Sequence, residues 1–589
     1  MCGIFGYVGT STDLGPVVLS ALRTLEYRGY DSWGVAIGAD DGIAVEKSTG
    51  KIGEAKTTLP GSSIGFGHTR WATHGGVTHA NAHPHLAPSG RVAVIHNGIV
   101  DNFRSLRDDF ETAGHSFVSE TDSEVIAHLV GSAVESGQDL VTAVSSSFEQ
   151  LKGLNAVIAM LPETGELVAA KNVSPLVVGY GPEGATIASD ALALGPHADR
   201  VLYLEDDHLV RLTADGVELF DRRTMTALPA EFVPLDLGGA DMGMGNYDTF
   251  MAKEMAEQPS VVERLVTSGG PALTELAREI DAASETFLVG CGTAAYAAQT
   301  GAYLLGQIAG QRVTVVAGSE FQYLQHLLSP RSLVIALSQS GETADIIEAM
   351  MAARARGARL GALVNARNST LDRMVDVRVH LEAGPEQCVL STKAYTAKVT
   401  ALLLLAHELA DIREQGRAAA MTASRGLSSL LADPAWMANI ERIAVHIHRD
   451  AHMFVIGRGV NFPTALESAL KIKEVSYIHA EGFAGGELKH GVIALISDGT
   501  PCLVFAPDDD TRTDVLSGAI ELKSRGGYII GVGTSPDPAF DAFIEVPDAG
   551  VAQPIVNALP AQLLGYHAAR ALGYDPDKPR NLAKSVTVK

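Results

Sequence analysis

Cysteine is scarce in this chain, with four in 589 residues. Cys2, Cys291, Cys388 and Cys502 never approach a CxxC spacing, which excludes a disulfide framework and a thiolate zinc site. The three internal cysteines stand beside apolar residues and read as small buried packing residues. Cys2, preceded only by the initiator, does not. Long apolar runs are missing too. The most apolar stretch, around Ala401 to Ala406, is far too short to cross a bilayer. The opening MCGIFGYVGT carries no basic stretch ahead of an apolar one, so no secretory leader is expected and a cytoplasmic location follows. Positive charge is in deficit as well: 45 Lys and Arg face 69 Asp and Glu, a net charge of -24. Such a surface repels polyphosphate backbones and anionic membranes, so neither nucleic acid nor a membrane is an expected partner.

What is present is a globular, enzyme-sized composition, 46% hydrophobic and 19% charged, with abundant Gly and Ala as in soluble α/β proteins. Segments such as Gly65-Phe-Gly-His and Arg91-Val-Ala-Val-Ile-His read as strands, and Thr121 to Val134 as helix. Residues 2–238 form one α/β domain on this reading, and the Gly-rich, aperiodic stretch at 239–247 is a linker. Beyond it lies an internal repeat. Phe287-Leu-Val-Gly-Cys-Gly and Phe454-Val-Ile-Gly-Arg-Gly each precede a helix; Ser332-Leu-Val-Ile-Ala-Leu and Cys502-Leu-Val-Phe-Ala are matching strands. Helix ends at Arg356-Gly357 and Arg525-Gly526 each lead into a further strand. Strand, Gly-rich turn, helix and strand twice over predict two doubly wound parallel sheets, at 248–430 and 431–579, with a tail at 580–589.

The copies differ in one turn. In the first, Ser338-Gln339-Ser340-Gly-Glu-Thr343 runs into a helix, offering hydroxyls and N–H groups at a helix N-terminus, a cradle for phosphate. In the second, Ala506-Pro-Asp-Asp-Asp-Thr511 sets carboxylates there, so one phosphate site is expected. An N-capping turn is the plain alternative for Ser338 to Thr343.

A cysteine directly after Met1 becomes N-terminal when the initiator is removed, and its own α-amine, with a pKa of about 8, can take the thiol proton. Arg70 can hold an α-carboxylate bidentately and Asp122 an α-ammonium, which together specify an amino acid. Asn97-Gly98 offers a side-chain amide and a backbone N–H to a tetrahedral oxyanion. Six histidines crowd between His68 and His96, namely those two with His74, His79, His83 and His85. Without acidic or cysteine co-ligands at helix spacing they read as loop and core hydrogen-bonding groups and not as a metal site. Neither a metal nor a cofactor is called for.

Cys2-Gly-Ile-Phe-Gly, Arg28-Gly-Tyr-Asp-Ser, His68 to Gly75 and His96-Asn-Gly98 resemble the class II glutamine amidotransferases. The resemblance implies an αββα layered glutaminase fold, attack of Cys2 on the glutamine side chain, a gating role for Trp71 and a mobile loop carrying His74. Free ammonia is mostly protonated at neutral pH, so such a domain implies a sheltered acceptor site. The cradle and the repeated sheets resemble the sugar isomerase (SIS) domains that bind phosphosugars. With the ending Arg580-Asn-Leu-Ala-Lys-Ser-Val-Thr-Val588, the whole chain resembles the glutamine:fructose-6-phosphate aminotransferases (isomerising), which use glutamine and fructose 6-phosphate.

By that resemblance Thr293, Ser338, Gln339, Ser340, Thr343 and Ser391 contact the sugar phosphate. Lys471 and Glu474 are implied to isomerise it, His490 to open its ring from a neighbouring subunit, and Lys584 to form a Schiff base. A homodimer is implied with them. Taken by spacing alone, Lys471 and Glu474 are an ordinary i,i+3 surface pair worth a few tenths of a kcal/mol. Ala294, Trp33 and Leu390 depart from a usual serine, a small residue and an alanine. Other class II amidotransferases are disfavoured. Asp508-Asp-Asp510 lacks the Gly-Thr-Thr turn of a phosphoribosyltransferase, and no Ser-Gly-Gly-x-Asp-Ser stretch serves ATP. A phosphosugar sensor without chemistry would not need Lys471, Glu474, His490 and Lys584 together.

Overall fold

Alternation of apolar side chains along short strands needs a layer on each face to bury both sets. The strand Asn155–Leu161 shows how this chain meets that need. Ala156, Ile158 and Met160 enter one core with Ile4, Phe66 and Ile187. Val157, Ala159 and Leu161 enter another with Val125, Val130 and Val144. The computed structural model of the chain describes residues 2–195, 197–235 and 243–587, and they fall into two compact units. One comprises residues up to 240 together with those from 583 onward; the other spans 241–582.

The first unit stacks two antiparallel sheets. In the eight-stranded sheet Gly3–Gly9 lies between Gly184–Ala188 and Ile64–Arg70, and Ser32–Ala39 follows. In the seven-stranded sheet Asn155–Leu161 lies between Ala93–Gly98 and Glu166–Asn172. Helix Leu14–Thr24 covers the outer face of the first sheet with Leu14, Val18 and Leu22. Helices Glu124–Glu135 and Leu140–Phe148 cover the outer face of the second. The layers are therefore α, β, β, α. Trp33 is buried in the helix-side layer among Phe5, Leu22 and Val35.

The second unit holds two five-stranded parallel sheets. In chain order their strands are Glu285–Gly290, Thr314–Ala317, Ser332–Ser338, Arg359–Val364 and Val377–His380, then His452–Gly457, His479–Ala484, Pro501–Phe505, Tyr528–Gly533 and Ala542–Glu545. Numbered within each sheet, both run in the spatial order second, first, third, fourth, fifth. The strand pairs expected from the sequence repeat occupy equivalent places. Gly357 and Gly526 end the helices before the fourth strands at φ of 79° and 93°, left-handed values that glycine adopts freely. In such sheets the order reverses between the first and third strands, which opens a crevice at their C-terminal edge. Helices Thr293–Ala309 and Asn461–Ser476, each following a first strand, pack on one another. Ala294 and Leu390 belong to the shared core. The expected linker at 239–247 falls largely on residues outside those described; Gly243–Asn246 form no helix or strand. Among the described residues no helix is long and apolar enough to cross a membrane.

Candidate functional site

Cys2 heads the central strand of the first sheet, and neighbouring side chains hold its successors. Gly3 N–H donates to Thr69 Oγ1 at 3.0 Å and Ile4 N–H to Ser189 Oγ at 3.0 Å. The Cys2 Sγ accepts the Trp71 N–H at 3.2 Å, and Asn97 Nδ2 donates to the Cys2 carbonyl at 2.9 Å. Cys2, Arg70, Trp71, Gly98 and Asp122 line one pocket. Burial pushes the thiol above its ordinary pKa, while the positive chain terminus, the Trp71 N–H and Arg70 pull it back.

Arg70 lines the pocket and also binds its own loop. Its guanidinium donates to the carbonyls of His74 at 2.5 Å, Gly75 at 3.3 Å and Gly76 at 3.1 Å. It therefore ties down the 74–76 loop while it lines the pocket. Asp122 Oδ2 accepts the Val100 N–H at 2.8 Å, and Oδ1 lies 3.9 Å from His74 Nδ1. The Arg28-Gly-Tyr-Asp-Ser segment supports the same loop. Arg28 is buried and ion-paired with Asp190 at 3.0 Å, and Asp31 Oδ2 accepts the Ala72 N–H at 2.9 Å. Trp71 stands edge-on to Tyr30, ring centroids 5.8 Å apart.

His83 and His96 are buried and line the pocket, and His68 and His85 are buried too. Burial drives His68 and His85 down to about 3 and depresses His83 and His96. They are neutral hydrogen-bonding groups, as expected. His96 Nδ1 meets Ser123 Oγ at 2.8 Å and Nε2 meets Asn155 Oδ1 at 2.9 Å; His85 Nε2 lies 3.1 Å from Thr121 Oγ1.

In the second unit Thr293 opens the helix Thr293–Ala309 after Gly292, whose φ is 52°. Ser338 ends the adjacent strand at the same sheet edge, and its Oγ accepts the Gly341 N–H at 2.9 Å. Gly341 has φ of 65°, and a Cβ there would lie 2.0 Å from Ser369 Oγ, so the turn admits no side chain at this point. Ser340 Oγ accepts the Glu342 N–H at 3.2 Å. Thr343 is the N-cap of the helix Ala344–Ala355, yet its hydroxyl makes no capping bond, which removes the plain capping explanation for that residue. Gln339 is half-buried beside it. Ser391 carries a buried hydroxyl with no partner among the described residues.

Lys471 is 1% exposed, so the surface-pair reading of Lys471 and Glu474 fails. The Lys471 Nζ donates to Glu474 Oε2 at 2.5 Å and lies 3.7 Å from Glu467 Oε1. Thr293 Oγ1 donates to that same Glu467 oxygen at 3.2 Å. Burial alone would depress Lys471, but Glu467 and Glu474 carry it above its ordinary value. Burial raises Glu467 to about 8, against the pull of Lys471. Its Oε2 is buried and has no partner among the described residues.

A glutamine amidotransferase domain model matches residues 68–195, and a SIS domain model matches 279–408 and again 446–571. The glutamine–fructose-6-phosphate aminotransferase (isomerizing) of Thermus thermophilus is 41% identical over 100% of both chains. That of Symbiobacterium thermophilum is also 41% identical over 100% of both. This chain belongs to the glutamine–fructose-6-phosphate aminotransferase (isomerizing) family. Among solved structures, the C-terminal domain of glucosamine-fructose-6-phosphate aminotransferase from Francisella tularensis superposes with a TM-score of 0.52 at 30% identity. It covers 56% of this chain and 99% of that one.

Within this aminotransferase framework the structure gathers Cys2, Arg70, Trp71, Gly98 and Asp122 in one pocket, and Thr293 with Lys471 and Glu474 in one cluster. Asn97 bonds to Cys2 from behind the pocket wall, and His74 flanks it, half-buried against Phe103. His490 is exposed on the turn Gly485–His490, and among the described residues no hydrogen bond or ion pair joins it to Lys471 or Glu474. Lys584 is half-buried in the tail that groups with the first unit. Cys388 and Cys502 are buried as expected, whereas Cys291 is half-buried beside Asp345. Glu467 was missed by the sequence reading. Its signal was available: Glu467, Lys471 and Glu474 repeat at helical spacing on a helix otherwise rich in small and apolar residues. Thr73, Ser123 and Thr587 also line the Cys2 pocket, and no sequence pattern distinguishes them.

Proposed function

We propose that the protein hydrolyses glutamine at Cys2 and passes the ammonia to fructose 6-phosphate, which it aminates and isomerises to glucosamine 6-phosphate. One observation carries the reading: a half-buried thiol at residue 2 shares a pocket with Arg70, Asp122 and Gly98, in a chain matched end to end by this aminotransferase family. With Met1 removed, the α-amine of Cys2 takes the thiol proton and the thiolate attacks the glutamine amide carbon. Asn97 and Gly98 stabilise the oxyanion, and Arg70 and Asp122 hold the amino-acid end. Ammonia leaves, and water releases glutamate from the thioester. Trp71 gates the pocket and His74 rides on the loop above it.

At the sugar, the Ser338–Thr343 turn takes the phosphate, while Thr293 and Ser391 contact the sugar. His490 of a second copy opens the ring, which makes a homodimer the working form. The Lys584 amine condenses with the C2 ketone and expels water; ammonia then displaces the lysine. Glu474, held by Lys471, moves a proton from C1 to C2 and gives the aldose. The working location is cytoplasmic, where both substrates are available. The test is to incubate the protein with glutamine and fructose 6-phosphate and assay glucosamine 6-phosphate. Cys2→Ala should abolish glutamine-dependent synthesis and leave sugar isomerisation measurable. Glutamate without amino sugar would overturn the synthase reading; loss of both activities in a folded Cys2→Ala protein would overturn the division of labour.

A further inference from the structure

His68 lies two residues before Arg70 on the strand Ile64–Arg70 and is fully buried. Its Nε2 is 3.0 Å from the His96 carbonyl oxygen and 3.1 Å from Asn97 Oδ1. A carbonyl oxygen can only accept, so Nε2 must carry the proton. The same N–H then meets Asn97 at its oxygen and so turns the Asn97 Nδ2 the other way, onto the Cys2 carbonyl at 2.9 Å. The His68 Nδ1 is buried and without a partner among the described residues, and its ring stacks on His83 with centroids 4.1 Å apart and planes 11° apart. His83 in turn accepts the His96 N–H at Nδ1, 3.3 Å away. An imidazolium would leave a second buried proton unpaired against a neighbouring ring. His68 is neutral, and burial holds its pKa at about 3, so it donates from Nε2 across the whole working pH range.

We propose that His68 is a positioning residue for glutamine hydrolysis: it fixes the amide orientation of Asn97, so that Nδ2 and not Oδ1 is turned toward Cys2. The inference rests on the glutaminase reading of Cys2 and deepens it. Without His68 the Asn97 oxygen loses its donor and only the Cys2 carbonyl is left to select the amide orientation; a flipped amide presents an oxygen to the developing oxyanion, where it repels. His68 touches no substrate atom and acts only through Asn97 and the His96 carbonyl.

The test compares two amide replacements that differ in reach. The nitrogen of His68→Gln stands where Nε2 stood, whereas that of His68→Asn stands at the Nδ1 position and cannot reach Asn97. Three quantities are measured on the full chain: kcat and KM for glutamine hydrolysis, the rate of Cys2 alkylation by iodoacetamide, and inhibition by glutamate semialdehyde. The aldehyde forms a tetrahedral adduct that needs the oxyanion donor; alkylation does not. His68→Asn should lower kcat about 100-fold, the order seen when one oxyanion donor is lost, and weaken the aldehyde in parallel. KM and alkylation should stay near wild type, and His68→Gln should recover most of kcat. With Asn97→Ala in the background, His68→Asn should cost nothing more. The proposal is overturned if His68→Asn hydrolyses glutamine at the wild-type rate, if alkylation falls in step with kcat, or if the two losses add fully. Should His68→Asn not fold, His68→Gln decides the same question: kcat near wild type is the expected result, and a loss of kcat that adds fully to that of Asn97→Ala overturns the proposal. Wild-type protein that releases no glutamate would overturn the glutaminase reading instead.

Discussion

Thr293 Oγ1 donates to Glu467 Oε1 at 3.2 Å, joining the helix that follows the first strand of one sheet to its counterpart from the other. Both residues are buried. Thr293→Val keeps the shape and deletes the donor, so it should destabilise the protein by about 1–2 kcal/mol. It should also raise the KM for fructose 6-phosphate, while glutamine hydrolysis measured without sugar stays unchanged. Thermal melting and paired kinetics read both.

Glu467 sets a pH dependence of stability. Its pKa is raised to about 8 in the folded chain from an ordinary 4.5, so the folded state holds the proton more tightly than the unfolded one. Stability therefore falls as pH rises through the window between those values and levels off above it. Glu467→Gln removes the term. The unfolding free energy of the variant relative to wild type should climb from pH 5 to pH 8, by no more than about 1.4 kcal/mol per pH unit, with the melting temperature rising in step. A difference independent of pH would mean that Glu467 is ionised throughout.

Gly98 has φ of 131°, and a Cβ there would lie 1.9 Å from the Leu154 carbonyl oxygen and 2.9 Å from His96 Nε2. Gly98→Ala must displace the wall of the Cys2 pocket, and it should lose glutamine hydrolysis altogether with a clear drop in melting temperature. Asn97→Ala should cost about 100- to 1000-fold in kcat with Cys2 alkylation retained.

Asp31 anchors Ala72, the residue after the one whose N–H caps the thiol. Asp31→Ala should free the Trp71–Ala72 segment and raise the KM for glutamine about tenfold, or ~1.4 kcal/mol of binding. Sugar isomerisation is the control that should not move.

The sequence carried the architecture through two periodicities. The strand–turn–helix repeat after residue 280 placed both parallel sheets, because a buried parallel strand shows as an apolar run ending in a Gly-rich turn. Cys2, Arg70 and Asp122 could be singled out by residue type alone, as a nucleophile and two opposite charges, and they line one pocket. What stayed hidden was direction. Nothing in the order of residues says that Arg70 turns back on three carbonyls of its own loop, or that His68 meets Asn97 at its oxygen. Burial was hidden as well. Lys471 and Glu474 read as a solvated pair until the packing of helix on helix buried Lys471 beside Glu467 and left Glu474 half-buried.

The two sheets share one strand order, yet their first helices have parted company. Thr293–Ala309 carries no charged side chain, whereas Asn461–Ser476 carries Glu467, Lys471, Lys473 and Glu474. The turns after the third strands have diverged in the opposite sense: hydroxyls at Ser338, Ser340 and Thr343 in the first copy, carboxylates at Asp508 to Asp510 in the second. One copy thus carries the hydroxyl-rich turn and the other the charged helix. The expected consequence is asymmetric occupancy: a titration should saturate at one equivalent of sugar phosphate per polypeptide, not two.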